Sequence, residues 1–170
     1  MNKQQETEIG ELMKQYAAKQ EQQERRMSEN QRAGDEFYAA FGKALAEVIK
    51  PTMEKIGEQL KGGGHTIDIE ETDSTSTRTG AQRPGSIRFR FLLAGIQRER
   101  YGNHGLPGVT FSAESAARVG VSKRSGSSQG ARQGRPQRFL TINDVTPELV
   151  TAEILEVLKT TIGPSSRPLS

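Results

Sequence analysis

The chain has 170 residues, of which 32% are hydrophobic, and its mean hydropathy is −0.69. This length suits one ordinary domain plus an extended element, and the low hydropathy indicates that part of the chain builds no core of its own. The absence of cysteine excludes disulfides and thiolate metal sites, and the net charge is +3 at pH 7.

Two features of the sequence bear on its location. The first fifteen residues are acidic and rich in glutamine, without the apolar region of a secretory signal. The longest strongly apolar run, residues 91–96, is far too short to span a bilayer. Together with the absence of cysteine, which suits a reducing compartment, they predict a cytoplasmic protein with no membrane contact.

The small net charge conceals a segregation of charge along the chain. Residues 1–77 carry 15 acidic and 10 basic side chains, whereas residues 78–138 carry 2 acidic and 12 basic ones. A one-sided field can recruit a partner of opposite charge, so the basic block is a candidate binding surface. The alternative is a solvated surface that only balances the acidic part of the chain.

The first fifty residues have a helical repeat. Positions that alternate four and three apart from Ile9 to Val48 follow one 3.5-residue seam, and eight of the twelve are apolar. A helix with so thin a stripe is not stable alone in water, so we expect it to pair with a second copy or with a larger protein. The candidate association residues are Ile9, Met13, Tyr16, Met27, Phe37, Phe41 and Val48.

The second half of this helix has a different character and a readable end. Residues 36–50 form a broader apolar face, typical of packing in a bundle or against a domain. Pro51 should kink or restart the helix, and the three glycines at 62–64 should end it and act as a hinge. The sequence therefore predicts a helical arm at residues 1–61 and a separate small domain at 65–163, followed by a tail at 164–170.

Beyond the glycines the hydrophobic period changes to two, which is typical of strands. Ile87, Phe89 and Phe91 alternate with Arg88 and Arg90 in the strongest of these segments. Turn residues predict loops at 73–86 and 123–138. The five predicted strands are residues 65–72, 86–94, 108–113, 118–124 and 138–142.

The last predicted element is a helix that starts at Pro147. Thr146 suits its N-cap, Pro147 its first position and Glu148 its first turn. The residues expected on its apolar face are Val150, Ile154, Val157, Leu158 and Ile162. We thus predict an α+β fold: a long, kinked N-terminal helix or coiled-coil arm, then a small antiparallel sheet of about five strands covered by one C-terminal helix.

The basic block supplies the candidate binding residues. Strand alternation should set four arginines opposite the apolar face of the sheet, next to the basic loop at 123–138. Lysine and arginine bind phosphates through counterion release, and they also suit an acidic protein. The candidate set is Arg88, Arg90, Arg118, Lys123, Arg124, Arg132, Arg135 and Arg138.

The scarcity of aromatic residues on the predicted basic face argues against a single-stranded nucleic acid as the ligand. Such ligands normally stack on exposed aromatic side chains. The strand positions of Phe89, Phe91, Phe111 and Phe139 mostly fit the core, which leaves Tyr101 as the one candidate for stacking.

Catalytic patterns are weak. Residues 126–130 read GSSQG and match the nucleophile-elbow pattern around Ser128, but they lack the strand and helix which that motif requires. His65 and His104 have no carboxylate or second ligand near them in sequence, and no phosphate-binding glycine loop with its lysine occurs. We therefore expect no enzyme activity, cofactor or metal.

These patterns lead to two hypotheses about function. The first is a non-enzymatic, self-associating adaptor or assembly subunit of a larger protein complex, with the arm for association and the basic domain for partner contact. The alternative is a nucleic-acid-binding protein that uses the basic sheet face and the 123–138 loop. Binding that falls linearly with the logarithm of salt concentration would favour the alternative.

Overall fold

The structure, a computed structural model, describes residues 2–75, 82–125 and 136–163. The chain divides into two compact units, Met1–Glu36 and Phe37–Ser170; the second is called the folded unit below. The predicted α+β fold is confirmed. The described elements are α1 (Lys3–Ala44), a π-helical segment (Leu45–Ile49), α2 (Lys50–Gly62), β1 (Thr66–Thr75), β2 (Gln82–Leu92), β3 (Gly108–Glu114), β4 (Arg118–Arg124), β5 (Arg138–Leu140) and α3 (Pro147–Ile162), with short 3-10 helices at Arg98–His104 and Ile142–Asp144.

The strands in the described ranges form one antiparallel sheet whose order follows the chain. Side chains alternate between its two faces, so residues paired across strands share a face. Ile87 is paired with Phe111, and Phe111 is paired with Val121. All three are fully buried in the core that the sheet shares with the helices of the folded unit. This side is called the inner face, and the other side the outer face.

The boundary between the two units lies at Glu36, not at the glycines where we predicted it. The glycines do end α2, since Gly64 has a φ of +84°, a conformation that favours glycine. However, α2 packs against the sheet: Met53 is fully buried, and a Cβ at Gly57 would lie 3.3 Å from Cγ2 of Ile67. The second half of the predicted arm therefore belongs to the folded unit.

The apolar stripe of this second half differs from the predicted seam. The buried positions of the helix recur every four residues, at Phe37, Phe41, Leu45, Ile49 and Met53. A step of four residues overshoots a full α-helical turn by about 40°. The π-helical segment, in which the Lys50 N–H donates to the Leu45 carbonyl, has wider turns and corrects this drift.

Three predicted association residues are consequently part of the folded unit. Phe37 and Phe41 are buried, and Val48 is half-buried against the same core. The π-helical segment shifts the buried positions from the predicted Val48 to Ile49. These three residues are therefore core residues, and the prediction that they face another chain is wrong.

Pro51 explains why the π-helical segment lies where it does. Proline has no N–H to donate and its ring crowds the carbonyl four residues earlier, so a regular helix cannot continue through it. Here Pro51 lies in the first turn of α2, directly after the wider turn. The Thr52 hydroxyl also donates to the Val48 carbonyl at 2.6 Å. Regular helix therefore begins again at Lys50, next to Pro51, where we predicted a kink or restart.

The C-terminal helix begins as predicted. The Thr146 hydroxyl accepts a hydrogen bond from the Leu149 N–H at 3.2 Å, and Pro147 occupies the first position of α3. Val150 and Ile154 are fully buried, but Ile162, which we expected on this face, is exposed. The buried set instead includes Glu153, which the apolar pattern did not identify.

The predicted loops are shorter than expected where they are described. Asp73–Thr75 continue β1 after a register shift at Thr72, and residues 82–86 belong to β2. Lys123 and Arg124 belong to β4. Residues 76–81 and 126–135, which contain most of the remainder of the two predicted loops, lie outside the described residues.

Candidate functional site

Large apolar side chains lie on one side of α1 in the first unit. Ile9, Leu12, Met13 and Tyr16 are each more than half exposed. Their spacing of three, four and seven residues places them on one helix face. Met27 continues the face and is equally exposed. These residues are called the helix stripe below.

The helix stripe retains four of the predicted association residues and adds one. Ile9, Met13, Tyr16 and Met27 were predicted from the 3.5-residue seam, and the structure leaves them exposed within the first unit. Leu12 was missed because it lies one residue beside that seam. A search for a broader apolar face of the helix, instead of a narrow seam, would have included Leu12.

The outer face of the sheet carries four of the predicted arginines. Arg88 and Arg90 lie on β2, and Arg118 and Arg124 lie on β4. The four are not equivalent, because Arg90 is already neutralised. Its guanidinium donates to the Asp68 carboxylate and, at 3.1 Å, to Glu70 on the neighbouring strand.

Lys123 and Arg138 lie on the inner side, next to α3. The Lys123 ammonium donates to Glu156 at 2.6 Å and lies 3.0 Å from Glu153. The Arg138 guanidinium donates to the other Glu153 oxygen at 2.7 Å. Both cations bind carboxylates of their own chain, so ion pairs within the chain already engage two of the residues that we predicted for partner binding. Their role in partner binding stays a prediction.

This cluster is an internal ion-pair network. The Glu153 side chain is only 4% exposed, whereas that of Glu156 is 63% exposed. Burial acts to lower the pKa of Lys123, but the hydrogen bond to Glu156 and the negative charge of Glu153 outweigh it, so the pKa is raised. The hydrogen bond from Lys123 lowers the pKa of Glu156. The network fixes α3 to β4 and β5, at the two ends of the basic segment.

Three arginines on the outer face have no carboxylate partner among the described residues: Arg88, Arg118 and Arg124. The Arg118 guanidinium lies 4.4 Å from the centre of the Phe139 ring, a cation–π contact. Arg124 approaches the turn at Gly105, where a Cβ would lie 2.8 Å from its Nη1. Arg132 and Arg135 lie outside the described residues.

Phe139 corrects the expectation about aromatic residues. It is paired with Gly120 and is 46% exposed on the outer face, although we assigned it mostly to the core. The neighbouring Leu140 is buried, and alternation in the strand then directs Phe139 outward. Tyr101, the one predicted stacking residue, is buried, and this burial raises the pKa of its phenol. The aromatic side chain beside the free arginines is therefore Phe139.

The described residues contain no group of three acidic or histidine side chains that could hold a metal ion. The His65 Nδ1 accepts a hydrogen bond from the Ala94 N–H at 2.9 Å, so this histidine ties the start of β1 to the end of β2. The side chain of His104 and the whole of Ser128 lie outside what the structure describes.

Within the described ranges, no helix is long and apolar enough to cross a membrane. Comparison with family models, with curated proteins and with solved structures found no match to this chain.

Proposed function

We propose that this chain is a non-enzymatic, self-associating assembly subunit of a larger protein complex. The helix of the first unit associates with a second copy, and the outer face of the folded unit contacts a partner protein. The observation that supports this most strongly is the helix stripe, which is exposed and belongs to a unit of helix alone.

The physical argument rests on the instability of a lone helix. A single helix in water gains little from hydrogen bonding alone, and its stability in proteins comes mainly from packing of an apolar face. Complete burial of a large apolar side chain contributes about 1.5–3 kcal/mol. Pairing two stripes would bury Ile9, Leu12, Met13 and Tyr16 from both chains. Association thus supplies the packing that the first unit does not supply within itself.

Light scattering tests this proposal on the full chain. We expect a mass of at least two chains for the wild type. The double variant Met13→Gln, Tyr16→Gln should shift the protein to a monomer at the same concentration, because it removes two side chains from the middle of the stripe. Melting of the folded unit should not change.

A matched control changes two residues on other sides of the same helix, Gln15→Ala and Ala18→Gln. Both positions are exposed, and the substitutions exchange residues of similar helix propensity. This control should keep the wild-type mass. A monomeric wild type, or a stripe variant with an unchanged mass, would contradict self-association through this surface.

A second candidate function, nucleic-acid binding, is favoured by one observation. Phe139 and Arg118 form an exposed aromatic and cationic pair on the outer face, which carries two more arginines without carboxylate partners among the described residues. Bases stack on such aromatic side chains, and arginines neutralise phosphates. Asp68, Glu70 and Glu114 share this face and reduce its field. The acidic neighbours are the reason why we rank this function second.

The triple variant Arg88→Gln, Arg118→Gln, Arg124→Gln tests this second function. If the face binds single-stranded DNA, affinity should fall, and each lost phosphate contact should reduce the salt slope by about 0.7. The control Arg25→Gln, Arg26→Gln, Arg32→Gln removes the same charge from the first unit. Equal binding by both triple variants at two salt concentrations would contradict a nucleic-acid site on the outer face.

A further inference from the structure

The helix stripe has a repeat that indicates how two copies would pair. In coiled-coil notation, Met13, Gln20 and Met27 occupy a positions, whereas Ile9, Tyr16 and Gln23 occupy d positions. All lie in α1, and their side chains are exposed within the first unit. The six residues define six layers over about two and a half heptads.

The order of these layers favours one alignment. When two helices run parallel and in register, each residue meets its own copy. Isoleucine then meets isoleucine, methionine meets methionine, and Gln20 and Gln23 each meet the same amide, which can both donate and accept. Polar pairs of this kind lower stability but specify register. No apolar layer is left facing a polar one.

The antiparallel alignment that covers the same length is worse. With its centre at Ala18, Ile9 meets Met27, but Met13 then meets Gln23 and Tyr16 meets Gln20. This alignment also sets Lys19 beside Lys19 of the second copy, which is a repulsive contact. Apolar and polar layers are thus mismatched in four of six places.

The flanking residues favour the same parallel alignment. In a parallel pair, a residue at g faces the residue at e that lies five positions later on the other helix. This rule pairs Lys19 with Glu24 of the second copy, twice in each dimer. It also places Leu12 over Ala17 of the second copy, which gives the apolar Leu12 a contact outside the a and d layers.

Lys19 and Glu24 are available for this contact. Neither has an ion-pair partner among the described residues, whereas the Arg25 guanidinium on the outer side of the same helix donates to Glu21 at 2.8 Å. Residues five apart on one helix do not face each other, so Lys19 and Glu24 cannot satisfy each other within one chain.

We propose, on the basis of the self-association proposed above, that the first unit forms a parallel, in-register, two-stranded coiled coil with a second copy of this chain. Lys19 of each helix pairs with Glu24 of the other, and Leu12 of each packs over Ala17 of the other. The two charge pairs set the direction of the helices, and the two glutamine layers set their register.

Single cysteines test the alignment, because the chain has no cysteine of its own. In the proposed dimer, Gln23→Cys places two thiols opposite each other at a d layer. Mild oxidation of the full chain should therefore convert most of it into a covalent dimer. The control Ala18→Cys lies on the outward side of the coil and should remain mostly uncrosslinked. The antiparallel alignment would set the two thiols of the Gln23→Cys variant about 15 Å apart along the axis, beyond the ~7 Å limit for a disulfide.

A charge exchange tests the pairing of Lys19 with Glu24. Lys19→Glu alone, or Glu24→Lys alone, turns two attractive contacts into two repulsive ones and should raise the dissociation constant roughly tenfold. The double variant Lys19→Glu, Glu24→Lys restores opposite charges and should return the constant to within about twofold of the wild type. Lysine and glutamate have similar helix propensities, so helix content should be unaffected.

The outcomes separate this inference from the proposed function. A monomeric wild type would overturn both. If the wild type is a dimer but the Gln23→Cys variant fails to crosslink, or if the double charge variant is as weak as the single ones, the parallel alignment alone is overturned and self-association stands.

Discussion

Replacement of Phe41 by alanine should lower the free energy of unfolding of the folded unit by about 3–5 kcal/mol. The Phe41 side chain is fully buried and stacks against Phe37, with ring centres 6.2 Å apart. Its removal leaves a cavity between the helix and the rest of the core, and a packed core fills such a cavity only in part. Urea unfolding followed by circular dichroism measures the change.

Met13→Ala is the matched control, because Met13 belongs to the same predicted seam. Met13 is exposed within the first unit, so its loss should change the unfolding of the folded unit by no more than about 0.5 kcal/mol. It should instead weaken self-association. If Phe41→Ala changes the oligomer mass and leaves the unfolding curve unchanged, Phe41 faces another chain and the assignment of Phe41 to the core is wrong.

The contrast between Met13 and Phe41 shows what periodicity can and cannot predict. A 3.5-residue repeat identifies the apolar side of a helix, and both residues lie on that side. The repeat does not identify the surface that covers this apolar side, because a sheet of the same chain and a second helix both suit apolar side chains. The π-helical segment at Leu45–Ile49 also has no signature in an apolar repeat, although Pro51 signals that regular geometry must end nearby.

The sheet was easier to predict than its charges. Alternation correctly identified the segments that became five strands and the buried sides of Phe89 and Val121. Charge pairing depends on register between strands and on the placement of α3, neither of which a local pattern contains. For that reason Arg90 and Lys123 were predicted as partner-binding residues without any sign that each lies against carboxylates of its own chain.

Glu153 is the least predictable residue of the folded unit. Its neighbours on α3, Val150, Ile154 and Val157, predict an apolar face, and a carboxylate on such a face is normally costly to bury. Lys123 and Arg138 offset that cost by contacting both of its oxygens. The basic residues near the loop at 123–138 therefore fall into two groups. Lys123 and Arg138 stabilise the fold, whereas Arg118 and Arg124 remain on the outer face.

Glu153→Ala should consequently destabilise the folded unit by about 3 kcal/mol. Removal of the buried carboxylate leaves the 20%-exposed Lys123 ammonium with one partner at the surface, and Arg138 with none in the cluster. This loss of stability lies at the lower end of the range for a broken buried ion pair, because Arg138 is 54% exposed and can be hydrated again. Chemical unfolding at neutral pH measures it.

Glu156, the exposed ion-pair partner of Lys123, provides the control for the Glu153→Ala prediction. Glu156→Gln removes a carboxylate that also accepts from Lys123 but is mostly in water, so stability should hardly change.

The pKa of Lys123 also predicts how the stability depends on pH. This pKa is raised above its ordinary value of 10.5, so the ion pairs of Lys123 stabilise the fold fully below that value and lose this effect as pH rises through the folded-state pKa. The stability difference between wild type and Glu153→Ala should therefore persist from pH 7 to pH 9 and shrink above pH 10.5. A difference that is already absent at pH 7, or an equal loss in Glu156→Gln, would show that the network does not hold α3 to the sheet.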